Sequence, residues 1–209
     1  MAGGHKPPDG GFGGIYVNTT HASLGDLGSR VLPRAPSNTS WVAGGSYEVS
    51  WTIEANHGGG YSYRLAPADG PLDEQTFGRI PLTFVGKQRL RWRGGRAHGG
   101  LEIAFDGTYT TSGTTPAGSM WAKNPIPRND MGQTGVGFAP PCAAFGMDAS
   151  MCSGMEDGRG GSEPTLEIVD MVHVPADLPP GEYVLGWRWD CEESNQIWQS
   201  CSDLTVTAK

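Results

Sequence analysis

No apolar stretch in this 209-residue chain approaches the 18 residues that a membrane-crossing helix requires. Basic residues are few. Fifteen Lys and Arg against 22 Asp and Glu leave a net charge of −7, and a nucleic-acid partner would want a basic face. Runs of like charge are short, so no patch for a membrane surface is visible. Long helix-period segments are also missing. The opening stretch "MAGGHKPPDGGFGG" lacks the apolar core of a signal peptide.

What the chain has in quantity is glycine. Its 33 glycines and 16 prolines make up close to a quarter of the sequence, near the range of low-complexity segments. Seven tryptophans and six tyrosines point the other way, because disordered chains are poor in aromatics. Together these features predict a loop-rich all-β domain.

The patterning agrees. "SYEVSWTI" (46–53) alternates Tyr47, Val49, Trp51 and Ile53 with polar residues, as a half-buried strand does. "YSYRL" (61–65) alternates again, and "NHGGG" lies between them. Further strands are expected at 89–93, 101–105, 166–174, 182–189 and 203–207. "LEIVDMVHV" is apolar on both faces, which suits a central strand. "PLDEQTFGRI" (71–80) holds one helical turn, with Pro71 in its first turn. Residues 106–165 carry the least pattern. Short strands with turn signals and almost no helix predict an immunoglobulin/fibronectin III-like β-sandwich with long loops over 30–209. Residues 1–29 are expected to form a Gly/Pro-rich arm or linker.

Four cysteines fall in two close pairs, Cys142/Cys152 and Cys191/Cys201. Zinc sites use C-x₂₋₄-C spacing, which these pairs exceed, so two disulfides are the expectation. Crossed connectivity stays open. A Cys191–Cys201 bridge would stabilise by about 2–3 kcal/mol on the chain-entropy estimate. "NTT" at Asn18 and "NTS" at Asn38 are glycosylation triplets. With the even cysteine count they predict a secreted, oxidising location. A secreted protein needs a signal, so the chain is expected to be a piece of a longer precursor.

Three stretches carry a resemblance: "WVAGGSYEVSWTIEANHGGGYSYRLAP", "GSMWAKNPIP" and "LPPGEYVLGWRWDCEESNQIWQSCSDLTV". In order and spacing they are similar to the lytic polysaccharide monooxygenases, and most to chitin-binding type-4 domain proteins of algae and other protists. The family phrase around two tryptophans is matched by Trp41 and Trp51. The His–Gly pair is matched by His57 and Gly58, and the "YxLAP" strand by Tyr63 to Pro67. The "PGxYvLrw" strand is matched by Gly181 to Trp187, and the closing Gln, aromatic and Cys by Gln196, Trp198 and Cys201.

The resemblance implies a β-sandwich carrying one copper ion in a histidine brace, which oxidises a C–H bond of chitin or cellulose. Copper takes nitrogen ligands in tetragonal geometry. Carried over residue by residue, the internal copper ligand is His57. The glutamine beside the bound oxygen species is Gln196, and the axial position is Trp198, where Tyr or Phe is usual. The N-terminal brace histidine has no counterpart: His5 and His21 are internal. The resemblance therefore implies that the first histidine lies in an upstream part and that the isolated chain is inactive.

Plainer readings stand beside these. His57 can be a surface histidine in a flexible glycine turn, and Trp198 a core aromatic. Glu192 and Glu193 are adjacent, so they point apart and make a solvated edge rather than a glycosidase pair. Arg89, Arg91, Arg93 and Arg96, with Trp92, form a solvated face or a cationic aromatic strip. Three functions follow: a copper monooxygenase-like domain, a non-catalytic carbohydrate-binding module, or a structural subunit of a protein assembly that kept the fold without the metal.

Overall fold

Alternation sets the strands. Ser46–Thr52 (β2) buries Val49 and Trp51 and exposes Ser46, Glu48, Ser50 and Thr52. The computed structural model describes residues 20–23, 26, 28–35, 37–53, 56–92, 100–128, 138–147, 152, 166–192 and 195–209. These form the expected all-β sandwich.

One sheet has seven strands. Ser40–Val42 (β1), Ile197–Thr207 (β11), Gly181–Asp190 (β10), Gly60–Pro67 (β3), Trp121–Lys123 (β8) and Tyr109–Thr110 (β7) lie in that order, and Ile80–Pro81 (β4) also pairs with β3. The other sheet runs β2, Leu166–His173 (β9), Thr83–Trp92 (β5) and Glu102–Phe105 (β6). β9 lies between β2 and β5; Leu166, Ile168, Asp170 and Val172 form its buried face, and on the other face only Val169 is buried while Glu167, Met171 and His173 are half-buried. β2 and β3 are neighbours in sequence but lie in different sheets, so the loop between them crosses from one layer to the other.

Among the described residues, three short helices decorate the sheets: Gly28–Val31 (α1), Glu74–Phe77 (α2) and Pro141–Ala144 (α3). α2 starts later than the position of Pro71 suggests. Its N-cap is Asp73, whose carboxylate accepts from the Thr76 N–H at 2.9 Å and satisfies a donor that the helix itself leaves open. Of the expected N-terminal arm, residues 1–19 lie outside the described residues. Its last part is docked: the Ser29 hydroxyl of α1 donates to the Leu72 carbonyl at 3.0 Å.

The core between the sheets is aromatic. Trp51 touches Tyr61, Trp187 and Trp189 with ring centroids 4.8, 4.9 and 5.4 Å away. Asp170 of β9 sits inside this core, 1% exposed, and accepts from the Tyr61 hydroxyl and from Gln88 Nε2, both at 2.8 Å. Burial pushes its carboxyl up to about 6, against the opposing pull of those hydrogen bonds.

Arg89 and Arg91 do not join Trp92 in a cationic strip. They point outward from β5 and pair with Glu102 on β6, Glu167 on β9 and Glu48 one strand further on β2, while Trp92 is fully buried on the opposite face. Arg93 and Arg96 lie outside the described residues.

One disulfide forms among the described residues. It joins Cys142 to Cys152, with Cα atoms 5.9 Å apart. The expected Cys191–Cys201 bridge does not form, and both residues are thiols. The register of β10 and β11 is the reason. Asp190 faces Ile197, Gly186 faces Cys201, and the Cys191 N–H donates to the Gln196 carbonyl at 3.1 Å. Cys191 is thus five rungs from Cys201, about 16 Å along the strands. Five is odd, so the two side chains also leave opposite faces. A disulfide needs Cα atoms within about 7 Å.

Candidate functional site at the glycine loop

His57 lies in residues 56–59, which carry the chain from one sheet to the other at one end of the sandwich. Three glycines follow it, but the turn is tightly held. Gly58 and Gly59 have φ of +66° and +81°, backbone that favours glycine. A Cβ on Gly59 would lie 2.0 Å from the Asp190 carbonyl oxygen, so no other residue fits there.

Two buried asparagines lock the loop. Asn56 Nδ2 donates to the carbonyls of Ile126 and Pro127 at 3.2 and 2.8 Å. Asn56 Oδ1 accepts from the Gly58 N–H at 3.0 Å and from Asn124 Nδ2 at 2.9 Å. Asn124 Oδ1 in turn accepts from the Ile126 N–H at 3.0 Å. Sequence reasoning passed over both residues. The one signal for them is their position, one at each "N" beside the His57 loop and the "KNPIP" turn.

β10 closes the other side. Trp189 Nε1 donates to the Gly58 carbonyl at 2.7 Å, and the Glu192 N–H donates to the His57 carbonyl at 3.0 Å. The Glu192 carboxylate accepts from the Gly59 N–H at 3.3 Å, so this acidic edge also caps the loop. Glu193 lies outside the described residues. The His57 ring lies nearly parallel to Trp189, with centroids 6.2 Å apart.

The other two expected site residues come to the same end. Gln196 pairs with Cys191 through its backbone, and Trp198 stands directly opposite Trp189 in the β10–β11 ladder. Opposite residues share a face, so Trp198 points the way Trp189 does. Trp189 is 4% exposed in the core, whereas Trp198 is 47% exposed and Ile197 beside it 52%. Trp198 is therefore a surface aromatic, not a core one.

A groove of about 470 Å³ adjoins the loop. Gly59, Gly60 and Asp190 line it on one side and Thr108, Thr110 and Lys123 on the other, with the buried Trp121. The Asp190 carboxylate is fixed by the Arg188 guanidinium at 2.6 and 2.8 Å. Arg188 and Arg64 converge on Glu74 at 2.8 and 2.6 Å. Desolvation works to raise the Glu74 carboxyl, but the hydrogen bond and charge of Arg64, with Arg188, hold it at about 2.

The glycosylation triplets lie elsewhere. Asn38 is exposed with φ of +54°, beside a hollow of about 400 Å³ lined by Arg34, Glu182 and Asp203. Asn18 lies outside the described residues.

A copper brace needs several nitrogen donors around one point. Among the described residues, no three His, Cys, Asp or Glu side chains gather closely enough to hold a metal ion. His57 supplies one imidazole at this end. The described donors alone do not fit a copper centre.

No protein-family model matches the sequence, and no curated protein sequence matches it either. The solved structures that are similar to the chain include two of low identity. One is the AA15 lytic polysaccharide monooxygenase from Thermobia domestica in the Cu(I) state, at 12% identity and a TM-score of 0.37, covering 81% of this chain. The chain spans 62% of that protein's length. The other is AggA, the major subunit of aggregative adherence fimbriae type I from Escherichia coli, at 9% identity and a TM-score of 0.23, covering 82% of this chain and 90% of that one. Neither likeness assigns a function to this chain.

Proposed function

We propose that this chain is a glycan-binding β-sandwich of lytic polysaccharide monooxygenase-like ancestry, comprising residues 30–209. Its binding surface is the end that carries His57 and Trp198, together with the adjoining groove. The observation that carries this reading is the exposed Trp198 ring on a rigid ladder, opposite Trp189. A flat aromatic with a wet rim suits the apolar face of a sugar ring. The groove opens on the other face of the same sheet, where Thr108, Thr110 and Asp190 offer hydrogen bonds to sugar hydroxyls. Chitin- or cellulose-type chains are the class of partner, in a secreted setting.

Depletion of the folded protein from solution by insoluble chitin and cellulose tests this. Saturable retention on at least one of them is expected. No retention on either removes the reading.

Copper chemistry is the second reading, and the fixed placement of His57 favours it. His57 would hold the metal, and Gln196 and Trp198 would stand beside it. Copper, when bound, would supply the redox chemistry. Asn56, Glu192 and Trp189 hold the backbone on which His57 sits, and Trp189 lies beside its ring. Copper titration followed by EPR decides it. A tight type-2 signal lost in His57→Ala supports it, and no tight signal in either this chain or one extended upstream removes it. Intact mass and N-terminal sequencing of the native protein test the secreted setting. Added glycan mass, N-acetylhexosamine with hexose, at Asn18 or Asn38 is the expected result.

A further inference from the structure

Among the described residues, part of one edge of β11 has no strand beside it. On one side it pairs with β10 along its length, from Ile197 to Val206. On the other side, among the described residues, β1 pairs only with Thr205 to Thr207. Just before that, the Ser37 hydroxyl donates to the Asp203 carbonyl, and the Thr205 N–H donates to the Thr39 carbonyl. The edge from Ile197 to Ser202 has no described strand beside it.

The ladder says which backbone groups face that edge. The Cys191 N–H donates to the Gln196 carbonyl, so Cys191 and Gln196 form a hydrogen-bonded pair. Such pairs alternate along an antiparallel ladder. Trp198, Ser200 and Ser202 therefore bond to β10. Ile197, Gln199 and Cys201 turn their N–H and C=O groups outward, as Asp203 and Thr205 do where residues 37–39 meet them.

Exposed edges are normally guarded by charge, proline or shortness. Three other described edge strands are. β7 has two residues, β2 carries Glu48 in its ion pairs with Arg89 and Arg91, and β6 carries Glu102 paired to Arg89. The segment "QIWQSCS" (196–202) has no charged residue, no proline and no glycine. It also presents the exposed Ile197 and Trp198.

We propose that this edge of β11 is the contact between two copies of the chain, which add strand to strand antiparallel about Gln199. Two features choose a second copy as the occupant. The outward-facing residues Ile197, Gln199 and Cys201 are symmetric about Gln199, so one copy offers another the complementary pattern of donors and acceptors. The segment is uncharged in a chain of net charge −7, so two copies meet there with least repulsion. The register is also set. Pairing centred on Cys201 would drive the second strand into residues 37–39, which already occupy the edge at Asp203 and Thr205. Centring on Gln199 puts Ile197 opposite the partner subunit's Cys201 and leaves that region clear. The contact is narrow, so the dimer is weak and concentration-dependent. This contact does not depend on glycan binding.

Sedimentation equilibrium with reductant present, across a concentration series, reads the mass. Hydrogen exchange on the same samples reads the amides. The expected mass rises with concentration from 22.1 kDa toward twice that value. The amides of Ile197, Gln199 and Cys201 slow at least about tenfold across the series, while those of Trp198 and Ser200 stay protected throughout. Gln199→Pro removes an outward N–H, and Ile197→Lys adds a charge to the edge. Either variant, if folded by circular dichroism, stays at the single-chain mass. A mass that stays at 22.1 kDa up to millimolar concentration overturns the proposal. So does a dimer that leaves the three amides unprotected or that survives Ile197→Lys.

Discussion

At the scale of single residues, the glycine loop inverts the meaning of its composition. Glycines beside His57 read as flexibility, but they are there because nothing larger fits against Asp190, Glu192 and Ala122. Gly59→Ala is expected to cost well over about 1 kcal/mol of stability, because a positive φ and a clash with the Asp190 carbonyl add together. Gly86→Ala is the matched control. Its φ of +70° is strained too, but nothing lies within 4 Å of the new Cβ, so about 1 kcal/mol is expected. Urea unfolding of the two variants separates them. The tryptophans of one rung should also part. Trp189→Ala opens the core and is expected to cost about 3–5 kcal/mol, whereas Trp198→Ala, half in solvent, costs much less. Thermal unfolding of each variant checks this.

At the scale of elements, the hairpin of β10 and β11 decides the cysteines. Two thiols are expected to react with a thiol reagent in the unreduced, denatured protein. Cys142→Ser is expected to cost about 2–3 kcal/mol, because it opens a real loop closure. Cys201→Ser removes no closure, and its stability should hardly change. The strands themselves were readable from period-2 alternation, because β2, β9 and β10 each bury a face. The pairing of Cys191 with Cys201 was not readable, because proximity in sequence says nothing of register. β11 was expected only from residue 203, since its first half is exposed on both faces and carries no apolar alternation. β7 and β8 have two and three residues, too few to show a period. His57, Gln196 and Trp198 were picked by resemblance, and they do come to one end. Asn56 and Asn124, which hold that end in shape, are polar residues in loops, and their burial arises only from tertiary contact.

At the scale of the whole molecule, one buried carboxyl opposes the usual acid behaviour. The folded Asp170 sits at about 6, above its ordinary 3.8, so it favours the fold while protonated. That stability is fully present below about pH 4 and is lost as pH rises through 6, a change of about 3 kcal/mol. Glu74 acts in a separate window. Held at about 2, it supports the fold above its ordinary 4.5 and loses that support as pH falls toward 2. Denaturant midpoints of the unaltered protein should therefore fall between pH 4 and pH 7, and Asp170→Asn should flatten that slope. Burial of one acid sets this profile, and the net charge does not predict it.

The central claim is that the His57–Trp198 end binds glycan through the exposed tryptophan. The most direct measurement is the binding isotherm of Trp198→Ala against the unaltered protein on the same chitin or cellulose, with circular dichroism confirming the fold of both. The account predicts retention by the unaltered protein and a loss of at least about tenfold in affinity, near 1.4 kcal/mol, for the folded variant. Equal retention of the two proteins would contradict it.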